Sequence, residues 1–247
     1  MKTILHIIDT TGPGGAETVF IDLATRLPKD KYRSVVVIRG KGWVYDELCR
    51  RGVKPILLDA KGSFNWRYLL GLRKIIQSEA VDLIQSHLLG SNVYCSLVGL
   101  LTGKPVVTTF HGAVDVDHKE RFMSLKFALI NLGASSIIAV SESLRDELIN
   151  RKPLKSHKTA VIDNGIDTVL FERQKSDELR QRFGWDKDDV IIGSLGNIRP
   201  AKAYDVLLRA AAILENQKHA CRFVIAGQGE SKGKPSRLYK ALLELGE

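Results

Sequence analysis

The sequence predicts an α/β protein in which a doubly wound parallel sheet is followed by a second, incomplete sheet of the same kind. Three observations carry this. Short apolar runs rich in β-branched residues alternate with stretches of helical periodicity along residues 1–165. Clusters of turn residues punctuate them. A further strand–turn–helix unit, "GSLGNIRPAKAYDVLLRAAAIL" (Gly193 to Leu214), then opens late in the chain. Strands alternating with helices read as βαβ units, which place helices on both faces of a parallel sheet.

In order, "TILHII" is a buried strand and "TTGPGG" a turn. "AETVFIDLATRL" is a helix with Val19, Leu23, Ala24 and Leu27 on its inward face. "RSVVVIRG" is a strand, "VYDELCRRG" a helix closed by Gly52, "VKPILLD" a strand and "NWRYLLGLRKIIQSE" a helix. "VDLIQSH", "KPVVTTFHG" and "SSIIAVS" are strands, each followed by a helix: "SNVYCSLVGLLTG", "ERFMSLKFALINLG" and "ESLRDELIN". "KTAVIDNGID" is a last strand running into a loop. "NGIDTVLFERQKS" lacks periodicity and reads as a linker, so the expected domains are 1–165 and 166–247. The second holds a short helix, "SDELRQRFG", with Ser176 as its N-cap. Then come the strand "DVIIGSLG", the turn "NIRPAKA", a helix, the strand "CRFVIAG" and the helix "PSRLYKALLELG". A two-stranded parallel sheet cannot cover its own core. The second domain is therefore expected to be part of a longer protein or to dock on something else.

Of the 247 residues, 44% are hydrophobic and 26% charged, an ordinary globular balance. The net charge of +9 admits a nucleic acid, an anionic membrane or a phosphorylated substrate as partner, although the cations form no dense block. Cys49, Cys95 and Cys221 are widely spaced, which argues against a zinc site or a disulfide framework and fits a reducing compartment. Cys95 and Cys221 stand in apolar contexts expected to be buried. The apolar start breaks at Asp9, too soon for a signal peptide. A cytoplasmic protein is expected, with peripheral contact at the inner face of the cytoplasmic membrane through "RFMSLKFALINL" and "FNWRYLLGLRKI", where cations stand beside aromatics.

Ligands of doubly wound sheets bind at the C-terminal ends of the strands. There stand Gly14 and Gly15, which permit close backbone approach and open a helix whose free N–H groups suit an anion. Glu17 occupies the place of the third glycine of a dinucleotide fingerprint, which disfavours NAD; Arg39 after the second strand leaves an NADP-dependent oxidoreductase as one alternative. His87 and His111 end two strands, and Asn164 sits in the turn after a third. Asp115 and Asp117 give no familiar metal spacing with His111, so no metal is assigned. Arg199 and Lys202 lie just before a helix, where two cations and backbone donors suit a diphosphate.

The order of "GGAE", "SH", "TFHG", "VIDNGID", "GNIRPAKAYDVLLRAAAIL" and "VIAGQGE" resembles that of retaining GT-B glycosyltransferases of the glycosyl transferases group 1 family (family 4-like). The resemblance implies two Rossmann-like domains, the first meeting the acceptor and the second a nucleotide sugar. It implies no cofactor, no nucleic acid, and a glycan or lipid-linked acceptor in polysaccharide or envelope synthesis. By likeness, Gly14 and Gly15 face the donor phosphates, His111 lies beside the transferred sugar, and Lys202 binds the diphosphate. Glu17, His87 and Asn164 are cleft or acceptor candidates. Asn197 stands where the family commonly has Arg, with Arg199 its candidate substitute, and Ala203 where the family usually has Gly. The family's later paired glutamates do not follow "VIAGQGE". An inactive remnant or binding module is therefore a second alternative for this chain.

Overall fold

The computed structural model of the chain describes residues 1–59, 64–112, 122–151, 154–171, 176–217, 219–227, 229–231, 234–235 and 237–245. They fall into two compact units, Met1–Asp167 and Thr168–Glu247.

In the first unit the strands are β1 (Lys2–Ile8), β2 (Tyr32–Ile38), β3 (Ile56–Leu57), β4 (Leu83–His87), β5 (Val106–Phe110), β6 (Ser136–Ala139) and β7 (Thr159–Val161). They form one sheet in the order β3-β2-β1-β4-β5-β6-β7. All its pairs are parallel. Between the strands lie α1 (Gly15–Arg26), α2 (Trp43–Arg50), α3 (Trp66–Ser78), α4 (Leu89–Thr102), α5 (Met123–Gly133) and α6 (Glu142–Asn150). The register puts Ile8 opposite both Ile38 and His87, and His87 opposite Thr109, so these side chains share one face.

The packing follows from the right-handed crossover rule. The chain winds outward from β1 to β3 with α1 and α2 on one face, where Phe20, Ile21, Val44 and Leu48 cover Ile8, Val36 and Ile38. It then crosses back and winds through β4 to β7 with α3–α6 on the other face. There Leu72 and Val98 cover Leu5, Val37 and Ile84, while Phe127 and Leu148 cover Phe110 and Ile137. The reversal between β1 and β4 is the topological switch point.

Several elements depart from the sequence reading. α1 buries Phe20, Ile21 and Ala24. Val19, Leu23 and Leu27 instead line a groove, because α1 sits over β1 and β2 and its next stripe overhangs the sheet. β3 shrinks to two residues at the sheet edge, beside Pro55, which has no N–H to donate. α4 begins at Leu89, two residues earlier than its apolar pattern suggests.

The second unit holds α7 (Glu178–Phe183), β8 (Val190–Leu195), α8 (Tyr204–Asn216), β9 (Cys221–Ala226), a short antiparallel pair β10 (Glu230–Ser231) and β11 (Lys234–Pro235), and α9 (Arg237–Leu245). Asp177, not Ser176, is the N-cap residue of α7; the Ser176 hydroxyl still accepts the Glu178 N–H at 3.3 Å. β8 and β9 pair in parallel. Among the described residues of this unit the buried apolar side chains are Tyr204 and Leu242, whereas Leu195 is 85% exposed. Cys221 is half-buried and Cys95 fully buried, a difference that follows from the thin second sheet.

α4 and α5 cross closely at Gly133, where a Cβ would lie 2.1 Å from the Ser96 carbonyl oxygen. That neighbour is backbone and cannot swing aside. Gly133→Ala should lower stability by about 2 kcal/mol or more. Gly193→Ala meets open space and should change little. Urea unfolding of both variants tests the difference.

Candidate functional site

The C-terminal ends of β4 and β5 bring two predicted residues together. His87 is the last residue of β4 and His111 follows β5. His87 Nδ1 lies 2.7 Å from His111 Nε2, with the rings within 19° of parallel. Phe20 of α1 packs against the His87 ring in an edge contact at 5.4 Å between centroids.

Backbone clamps hold this pair. The Thr109 carbonyl accepts from the Leu88 N–H at 3.2 Å and from Asn92 Nδ2 at 3.1 Å. The Ser86 hydroxyl donates to Asn92 Oδ1 at 2.7 Å. Asn92, fully buried in the first turn of α4, thus ties the ends of β4 and β5. Leu88 between them has φ 72° and ψ 156°, a conformation that costs a non-glycine residue on the order of 1–3 kcal/mol. The paired backbone on both sides holds it there.

Asp9, just past β1, closes the switch point. Its carboxylate fills the space a Cβ at Gly90 would need, 2.1 Å away, and accepts the Ser91 N–H at the start of α4. Burial nevertheless raises its pKa, against the lowering effects of these hydrogen bonds and of Arg39. The Arg39 guanidinium donates to the Asp9 carbonyl at 3.4 Å.

Burial acts most strongly on the histidines. His111 is lowered to about 4 by desolvation. His87 is held well below the usual range by desolvation and by its neighbours His111 and His6. His6, fully buried on β1, is lowered to about 4 by the same cause. At neutral pH all three rings are uncharged.

Gly14 is the N-cap of α1 and Gly15 its first residue. The Glu17 carboxylate folds back beside Gly14, its Oε2 2.2 Å from where a Cβ would stand, so Gly14 makes room for that carboxylate. Asn164 is exposed in the loop after β7. It lines a groove of about 690 Å³ with His87, Gln85, Leu23 and Ile138. The Arg26–Asp167 ion pair, 3.3 Å, stands at the same groove. Asp115 and Asp117 lie outside the described residues.

Asn197, Arg199 and Lys202 belong to the second unit, in the loop between β8 and α8. Its backbone is closed by Tyr204, whose hydroxyl donates to the Gly196 carbonyl at 2.9 Å. Gly227 packs so close that a Cβ there would lie 1.8 Å from the Gly196 oxygen. Arg199 and Lys202 are exposed around a single 3-10 turn, with the Lys202 N–H on the Arg199 carbonyl at 3.0 Å. The Lys202 stem runs back over Gly196. Ala203 adopts φ 50°, ψ 41°, a left-handed conformation that glycine takes at lower cost.

Sequence reasoning missed Asp9, Asn92 and His6. A polar residue inside the apolar run "TILHII" was the available signal for His6; Asp9 and Asn92 carried none, since their roles depend on partners across the sheet.

The model of glycosyltransferase family 4 matches residues 13–170, and that of glycosyl transferases group 1 matches residues 175–245. A Bacillus subtilis (strain 168) protein that carries the name glycosyltransferase EpsF is 26% identical over 99% of this chain and 68% of its own length. A D-inositol 3-phosphate glycosyltransferase of Thermomonospora curvata is 30% identical over 47% of this chain and 30% of its own. Among solved structures, Anabaena Alr3699/HepE in complex with UDP-glucose matches with a TM-score of 0.84 at 21% identity, over 99% of this chain and 65% of that one. The fold is that of the GT-B class. The chain belongs to glycosyltransferase family 4, and it spans about two thirds of the length of its full-coverage relatives. That membership sets aside the oxidoreductase alternative.

Because His6 and His111 are buried neutral, the unfolded chain binds more protons than the folded one between about pH 4 and the ordinary histidine range. Stability should be full above about pH 7 and fall as pH drops toward 4. The loss is on the order of 3 kcal/mol for His6 alone. Urea midpoints measured from pH 7.5 to 4.5 should show this slope, and His6→Leu should flatten it.

Proposed function

We propose that the protein transfers a sugar from a nucleoside-diphosphate donor, with retention at the anomeric carbon, to a glycan or lipid-linked acceptor. In this reading residues 1–165 form the acceptor-side domain and residues 166–247 the opening part of the donor-side domain. The observation that carries it is the succession of the two family matches, with His111 within the first and Lys202 within the second. HepE was solved with UDP and with UDP-glucose, which favours a uridine diphosphate donor here. The name of the Bacillus relative fits a place in envelope or extracellular polysaccharide synthesis.

The chemistry assigns roles by charge. As the sugar leaves, negative charge grows on the departing diphosphate. Arg199, Lys202 and the N–H groups at the start of α8 would meet that charge electrostatically, with no metal required. A neutral His111 has no acidic proton to give at pH 7, so its role is to hydrogen-bond the sugar while Gly14 and Gly15 allow close approach. Asn197 is assigned to donor binding, and Glu17, His87 and Asn164 to acceptor or cleft contacts. One observation favours a binding module for the isolated chain: among the described residues the second sheet consists of β8 and β9, with Leu195 exposed.

In a longer protein that contains this chain, Lys202→Ala should reduce kcat by ~10²–10³. Unchanged turnover of UDP-glucose in a steady-state assay rejects the role of Lys202. Calorimetry of the 247-residue chain with UDP-glucose reads donor binding directly.

The reading includes contact with the cytoplasmic face of a membrane. α3 exposes Trp66 and Leu70, with the Arg67 guanidinium over the Trp66 ring at 5.8 Å. α5 exposes Leu125 and Leu132. Both helices cover the same face of the sheet. Flotation with anionic vesicles should show binding that weakens with salt and falls several-fold in Trp66→Ala/Leu70→Ala. No flotation at low salt removes this contact.

A further inference from the structure

Leu88 holds a backbone conformation suited to glycine. Its φ of 72° and ψ of 156° fall outside the ordinary left-handed region, in a part of conformational space kept essentially for glycine. Phe122 and Ala203 also have positive φ, but their ψ of 34° and 41° lie within that ordinary region. Both backbone groups of Leu88 are engaged: its N–H donates to the Thr109 carbonyl at 3.2 Å, and its carbonyl accepts the Asn92 N–H at 2.9 Å. A glycine could make the same two bonds without strain. What leucine adds is a side chain, and that side chain takes an unusual direction. The Ser86 hydroxyl meets Asn92 of α4, and the His87 ring lies on the opposite face of β4 against Phe20 of α1. Regular alternation would return Leu88 to the α4 side. Leu88 instead packs, half-buried, against the cluster of Ile8, Phe20, Ile38 and Val44, while Leu89 packs on the other side with Phe110 and Phe127. The inverted backbone thus puts two successive side chains, His87 and Leu88, on one face.

We infer that Leu88 is a positioning residue for His87: a leucine occupies this glycine-type backbone because its side chain, with Phe20, walls off one side of the imidazole and fixes the ring beside His111. The need for a wall follows from place. His87 ends its strand at the edge where such sheets admit ligands, yet it is 1% exposed. Phe20 touches its ring, and Leu88 joins Phe20 in one apolar cluster. Desolvation is the largest cause of the lowered His87 pKa, ahead of its neighbours His111 and His6, which burial also keeps neutral. Asp9, past the end of the neighbouring strand, is engaged by the start of α4. The meaning of this arrangement for sugar transfer rests on the proposed place of His111 beside the sugar; the positioning of His87 does not.

The test compares Leu88→Gly, Leu88→Ala and Leu88→Met in the 247-residue chain. Urea unfolding reads the strain, and NMR titration of the histidine rings from pH 4.5 to 8 reads the wall, with His87→Gln to assign the ring. Leu88→Ala keeps the strain and loses the side chain, Leu88→Gly loses both, and Leu88→Met keeps both at nearly the same volume. Leu88→Gly should unfold at higher urea than Leu88→Ala, the reverse of the order at an unstrained position. His87 should not titrate in this range in the wild type or in Leu88→Met. It should begin to titrate in Leu88→Ala and Leu88→Gly, because burial no longer opposes its charged form. A residue that only fills space would lower the urea midpoint and leave His87 untitrated in all four proteins. That outcome overturns the inference, as does a Leu88→Ala midpoint at or above that of Leu88→Gly. If Leu88→Ala does not fold while Leu88→Gly does, the strain is upheld and the Leu88→Gly titration decides the rest. Failure of both to fold makes Leu88 a core residue and overturns the inference. Titrations as expected, beside undiminished transfer by Leu88→Ala in a longer protein, uphold the positioning of His87 and reject only the place of the histidine pair beside the sugar.

Discussion

One carbonyl oxygen organises the site. Thr109 O receives the Leu88 N–H and the Asn92 side chain, and through them it locks the end of β4 to the end of β5. Without that lock the strained backbone at Leu88 would relax, and the imidazoles of His87 and His111 would have no reason to meet. A parallel sheet makes such a lock both necessary and available. Its strands are joined through long crossovers, so their ends are set by cross-strand bonds and not by a shared turn.

Buried neutral histidines have an energetic consequence. Three imidazoles in or beside the switch point are desolvated, and each resists protonation. The same burial that costs stability in acid keeps these three rings uncharged at neutral pH. In the second unit Arg199 and Lys202 are exposed.

The second unit is built by close backbone approach more than by apolar burial. Gly196 and Gly227 press together, and Tyr204 ties its hydroxyl to the loop it follows. Ala203 closes the 3-10 turn in a left-handed conformation. Among the described residues few apolar side chains are buried around β8 and β9.

Much of this was legible in the sequence. Alternating apolar runs and helical stretches determined the α/β class and the second opening strand. The placement of "SH", "TFHG" and "GNIRPAK" after strands marked His87, His111, Arg199 and Lys202 as candidates, because in such sheets position after a strand is position near the ligand. Only the tertiary structure decided which face of α1 is buried, that Asp9 caps α4, and that Asn92 joins two strands. It alone brought His87 within a hydrogen bond of His111. These facts depend on the register between segments far apart in the chain, and local periodicity carries no information about register.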